Sequence, residues 1–169
     1  MLAKSRGFTL LELLVVLVII GIVASFAVLS VGDGGRSAEV KREAQRLASL
    51  LQLVSQQAVM QSRNYAVQFD SDGYTFLELD ESTNHWKPVK DDRTLRARKL
   101  PDGLRLEVHI QNQPGERLGH KRARPMVMLL SSGEMTPFDA TLSAGGEDTG
   151  YRLSADMLGH LKLEPPKAG

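Results

Sequence analysis

The chain has 169 residues, with 21 Lys and Arg against 20 Asp and Glu, and 42% of its residues are hydrophobic. The formal charge of +1 gives no overall electrostatic pull toward nucleic acid or an acidic substrate. The absence of cysteine excludes disulfides, zinc–thiolate and iron–sulfur centres, and thiol nucleophiles.

In chain order, the first element is an apolar run. From Leu13 to Val31 no residue is charged, and at about 1.5 Å per residue the run covers roughly the 30 Å of a hydrocarbon core. Lys4 and Arg6 precede it and the next basic residue is Arg36. The positive-inside bias therefore keeps the N-terminus cytoplasmic and exports the rest. An ordinary secretory signal peptide is the competing reading, with cleavage after the small residues near Val23 and Ser25. Its apolar core is usually 7–15 residues, shorter than this run.

Glu12 stands at the leading edge of the run, and a carboxylate within a bilayer costs several kcal/mol unless it is paired or reaches the interface. Two readings are open. Glu12 reaches the headgroups near the positive end of its helix, or it meets a cation from outside the run: another chain, or an amino terminus newly made by cleavage nearby.

The residues Val31 to Ser37 read VGDGGRS, whose glycines and aspartate disfavour a helix. A linker or a soft joint is expected at residues 32–36. Val40, Ala44, Leu47, Leu51, Val54 and Ala58 then recur at 4-3-4-3-4 spacing among charged residues, which predicts an amphipathic helix over 37–62 with its stripe against a sheet. From Tyr65 the period becomes two. YAVQFD and YTFLEL flank Ser71-Asp72-Gly73 as a hairpin. Pro101-Asp102-Gly103 turns into LRLEVHI, MVMLL runs into Ser131-Ser132-Gly133, and residues 150–164 form a last hairpin around Gly159. One helix followed by antiparallel strands is an α+β domain over 63–169.

Between these strands lies a basic middle stretch. Arg117, Lys121, Arg122 and Arg124 follow Arg93, Arg96, Arg98 and Lys99. It reads either as a solvated connection or as a contact for an acidic partner or a phosphate backbone, without the interleaved aromatics that stack bases. The four histidines are scattered and Asp70-x-Asp72-Gly73 lacks the later ligands of a calcium loop, so no metal site is expected. No phosphate-binding loop or nucleophile elbow is present, and nothing argues for catalysis or a cofactor.

The string RGFTLLELLVVLVII closely resembles the class III signal of type IV pilins and pseudopilins: a basic leader ending in Gly, then Phe-Thr-Leu-x-Glu and a continuous apolar helix. The resemblance implies a leader at residues 1–7, cleavage by prepilin peptidase between Gly7 and Phe8, N-methylation of Phe8, and a helix over 8–31. That helix sits in inner-membrane lipid before entering a filament core. It also implies that Glu12 recruits the subunit by neutralising the Phe8 amine of a neighbour. The single amphipathic helix, the lack of cysteine and the closing hairpin look like the GspH-type minor pseudopilins of type II secretion. The implied role is a structural subunit near the tip of the periplasmic pseudopilus, helping folded proteins across the outer membrane. Its partners would be the major and other minor pseudopilins and the inner-membrane assembly platform. The alternative is a minor type IV pilin in pilus biogenesis or DNA uptake, where the basic stretch would contact DNA.

Overall fold

Val40, Ala44, Leu47, Leu51, Val54 and Ala58 are all buried along one side of a helix, as their spacing predicts. A computed structural model describes residues 10–32, 34–90, 92–110, 125–145 and 150–166, with the side chains of 23–34 excepted. Among the described residues two helices, α1 (Leu10–Gly32) and α2 (Gly34–Gln61), precede nine strands. Asp33, between the helices, lies outside the described residues. The chain divides into two compact units, Met1–Ala38 and Glu39–Gly169.

In the second unit α2 ends where Ser62 adopts a left-handed backbone, φ 53°, and the Arg63 N–H donates to the Ala58 carbonyl at 3.0 Å. This closes the last turn in the manner of a C-terminal cap. The strands are β1 (Tyr65–Asp70), β2 (Gly73–Asp80), β3 (His85–Pro88), β4 (Arg98–Lys99), β5 (Leu104–Ile110), β6 (Met126–Leu129), β7 (Phe138–Ala144), β8 (Tyr151–Ala155) and β9 (Leu161–Glu164). They form two antiparallel sheets. The first has the order β3-β2-β1-β6, with β4 also pairing β2; the second has the order β5-β7-β8-β9. In the β1–β2 hairpin Asp70 pairs with Gly73 across a two-residue turn, and the β5 turn uses a left-handed Gly103, φ 87°.

The strand pattern alone does not carry the split into two sheets, nor does it reveal β3, β4 or β7. β7 is the central omission. Its residues FDATLSA alternate in burial along their whole length, but two of the buried positions are alanines, Ala140 and Ala144, too small to mark an apolar face in the sequence. β7 nevertheless pairs with β5 on one side and β8 on the other.

One core joins α2 to both sheets. Tyr65, Val67, Phe69, Phe76, Val127 and Leu129 from the first sheet share a cluster with Leu104, Leu106, Phe138, Leu142 and Leu153 from the second. The rings of Phe69 and Phe138 lie 6.1 Å apart, centroid to centroid. Ala66 and Leu77 are buried as well but do not belong to that cluster. They pair with each other on the opposite face of the first sheet. The second sheet turns a polar face outward, where Arg152 donates two hydrogen bonds to Asp139 Oδ1 at 3.0 and 2.9 Å.

Candidate functional site

The first turn of α1 holds Glu12, exposed, as its acidic residue. A carboxylate there is favoured by the partial positive charge of the helix start. Around it the helix is apolar on all sides: eleven large apolar side chains between Leu10 and Ile22 are 43–82% exposed. A helix of this kind is not stable by itself in water, and requires lipid or other helices around it. Among the described residues no helix is long and apolar enough to cross a membrane; the described side chains of α1 end at Ile22 and cover about 20 Å.

Gly7 and Phe8, the expected cleavage and methylation positions, lie outside the described residues, as do Arg117, Lys121, Arg122 and Arg124 of the basic stretch. The upstream part of that stretch is described. Arg98 donates to the Thr94 carbonyl at 3.0 Å, and Lys99 Nζ stands 3.9 Å from Asp72. Arg93 and Arg96 are exposed.

The globular unit also has a polar cleft of about 960 Å³ between the end of α2 and the β2–β3 edge, lined by Gln57, Gln61, Arg63, Tyr65, Glu78 and Lys87 among others. Arg63 donates to Glu78 at 2.6 Å, and this bond raises the guanidinium pKa further above its ordinary value. Lys87 bonds Asp80, and together with the Ser82 hydroxyl holds that carboxylate well below the usual range. The Tyr65 hydroxyl donates to Gln61 at 3.0 Å, and burial pushes its pKa up. These charges are matched in pairs across the cleft wall, an arrangement that fixes the β2–β3 edge. Among the described residues no group of three or more His, Asp or Glu could hold a metal ion.

A second surface feature escaped the sequence reading. Val59 and Met60 on α2, with Met157 and Leu158 in the β8–β9 turn, are exposed. Single apolar residues in polar segments give no periodic signal, and only the fold brings Val59 and the β8–β9 turn to the same β6–β7 loop.

Residues 43–159 match the family described as type II transport protein GspH, and residues 2–28 match the prokaryotic N-terminal methylation motif. Type II secretion system protein H of Pseudomonas aeruginosa is 37% identical over 161 residues, spanning 90% of this chain and 91% of that protein. The crystal structure of the minor pseudopilin EpsH from the type II secretion system of Vibrio cholerae superposes with a TM-score of 0.65 at 27% identity, covering 78% of this chain and 99% of that one. The type IV minor pilin FimU of Pseudomonas aeruginosa shares the fold, with a TM-score of 0.50 at 22% identity over 74% of this chain and 92% of its own.

Proposed function

Because the chain belongs to the GspH family of type II transport proteins, we propose that it is a minor pseudopilin, a structural subunit of the type II secretion pseudopilus. The observation that carries this reading is the pairing of an all-round apolar helix led by Glu12 with a globular unit of the minor-pseudopilin fold. The helix supplies filament cohesion through apolar contact; the globular unit supplies the surface by which one subunit differs from another.

In this reading residues 8–31 lie in the inner membrane before assembly, with the N-terminus cytoplasmic and residues 37–169 periplasmic. Residues 32–36 join the two. Prepilin peptidase cuts between Gly7 and Phe8, and Phe8 is N-methylated, in keeping with the methylation motif over residues 2–28. The new amine at Phe8 is a cation at the start of an apolar helix, and Glu12 of a neighbouring subunit neutralises it. In a medium of low dielectric constant either charge alone is penalised, so the pair fixes axial register between helices whose attraction is otherwise non-directional. The subunit sits near the tip, beside other minor pseudopilins and above the major one, and the growing filament pushes folded proteins through the outer membrane.

Mass spectrometry of the mature chain tests this. The expected N-terminus is a methylated Phe8, and a start near Phe26 overturns the filament reading. A Glu12→Val chain is expected to insert and be processed normally while its incorporation into the filament drops; unchanged incorporation refutes the role assigned to Glu12.

A further inference from the structure

Three segments of the globular unit meet at the β6–β7 loop. A β-carbon at Gly133, in that loop, would stand 3.7 Å from Cγ2 of Val59 on α2. One at Gly159, in the β8–β9 turn, would stand 3.1 Å from the Gly133 carbonyl and 3.8 Å from Ser55 Oγ on α2. The Met135 N–H donates to the Met157 carbonyl at 3.1 Å. The meeting point carries Val59, Met157 and Leu158, with Met157 64% and Leu158 72% exposed. These are three of the five exposed large apolar side chains of the globular unit among the described residues.

The β8–β9 turn that presents Met157 and Leu158 is held by its own hydrogen bonds. Asp156 Oδ1 accepts from the backbone N–H groups of Leu158 and His160, both at 2.9 Å, and Oδ2 lies 2.9 Å from His160 Nδ1. The Gly159 N–H donates back to the Asp156 carbonyl at 3.1 Å, with Gly159 left-handed at φ 77°. These bonds, the His160 backbone donor first, hold the Asp156 carboxyl below its ordinary value and so keep it charged. A pre-formed turn loses little entropy on binding. One of the two apolar side chains it presents is Met157, and a methionine's flexible side chain fits uneven surfaces.

The segments that form the patch carry exposed acids, one of them, Asp156, beside His160 at 2.9 Å. Residues 55–61, 130–136 and 155–161 contain no Lys or Arg, and their acids are Glu134 and Asp156, both exposed. In a two-fold contact between copies of this chain these acids would face each other, and like charges so placed oppose docking. An anionic lipid surface is disfavoured for the same reason.

We propose that this acidic-rimmed apolar patch is where a different subunit of the same filament docks, through an apolar surface edged by Lys or Arg. The proposal rests on the pseudopilin reading and adds to it the face and the chemistry of the partner.

The test is photo-cross-linking in cells that carry the whole secretion system, with a benzophenone amino acid placed at Leu158, at Leu14 in α1, or at Arg152 on the polar face of the second sheet. Leu158 is expected to give an adduct with a pilin-like subunit other than this chain, and Arg152 at least about tenfold less of it. Glu134→Lys is expected to lower the Leu158 adduct about tenfold without shifting the chain's thermal midpoint. Adducts at Leu14 but none at Leu158 overturn the patch and leave the filament reading standing. Adducts at neither position overturn both. A Leu158 adduct with a second copy or with lipid, or one insensitive to Glu134→Lys, also overturns the proposal.

Discussion

The two helices are close in length, 23 residues in α1 and 28 in α2, but they solve opposite problems. α2 places most of its apolar residues on one stripe and buries them against its own sheets: Leu51, Val54 and Ala58 are fully buried. α1 has no stripe, and its described apolar side chains are exposed all round. A periodic apolar face carries the instruction to fold onto the same chain, whereas a helix apolar on every side needs lipid or other helices around it. The one charged residue in α1 is Glu12, a group that can specify register where apolar contact cannot.

The sharpest way to break this contrast is a matched pair of truncations. Leu51→Ala leaves a cavity under α2 and is expected to lower the stability of the globular unit by about 2–5 kcal/mol. Leu14→Ala is expected to leave that unit's unfolding transition where it was, and to weaken filament assembly. Urea unfolding of the full-length chain in detergent, followed by tryptophan fluorescence from Trp86, compares them. Equal effects of the two substitutions on the unfolding midpoint would end the distinction between the helices.

A smaller effect is expected at Tyr74, on the sheet face that α2 covers. Its hydroxyl is buried without a hydrogen-bond partner, and burial raises its pKa from 10.0 to about 12. The unfolded chain gives up this proton near pH 10 and the native chain near pH 12. The native state thus holds the proton more tightly, and stability on its account is complete below pH 10 and lost as pH rises through that window. Tyr74→Phe removes both features. It is expected to gain about 1 kcal/mol at neutral pH and to flatten the alkaline fall between pH 10 and 12, and urea midpoints at pH 7, 10 and 11.5 check both. A loss of stability at pH 7 would show that the hydroxyl has a favourable role.

The smallest change concerns where α2 stops. Ser62 holds a left-handed backbone that glycine adopts freely, so Ser62→Gly is expected to gain about 0.5 kcal/mol after the entropy of the unfolded glycine is counted. Thermal unfolding measures it. A loss would mean that the serine side chain contributes more to the cap than its backbone strain removes.

Much of this architecture could be read from residue spacing. The 4-3 recurrence from Val40 to Ala58 marked α2, and the period-two runs marked β1, β2, β5, β8 and β9, because large apolar side chains alternate along each and alternation follows from strand geometry. β7 could not be read that way, since alanines fill half of its buried face. β3 and β4 could not either: they are short, and their place is set by the edge of β2 on which both pair. Glu12 was legible because a charge in an apolar run is conspicuous wherever the run folds. The patch around Gly133 was not, because Val59 and Leu158 stand about a hundred positions apart.

The sequence by itself determined the division of labour in this protein. An uninterrupted apolar run with one early carboxylate, followed by an amphipathic helix and alternating strands, specifies a segment made for lipid or other helices and a unit that folds on itself. That information is local, written in periods of 3.6 and 2.0 residues and in the cost of a charge among apolar side chains. Only the tertiary structure decided how nine strands divide between two sheets, and which isolated apolar residues meet at one corner of the surface. Those outcomes depend on pairing between distant segments, and no local periodicity records which strand a given edge will accept.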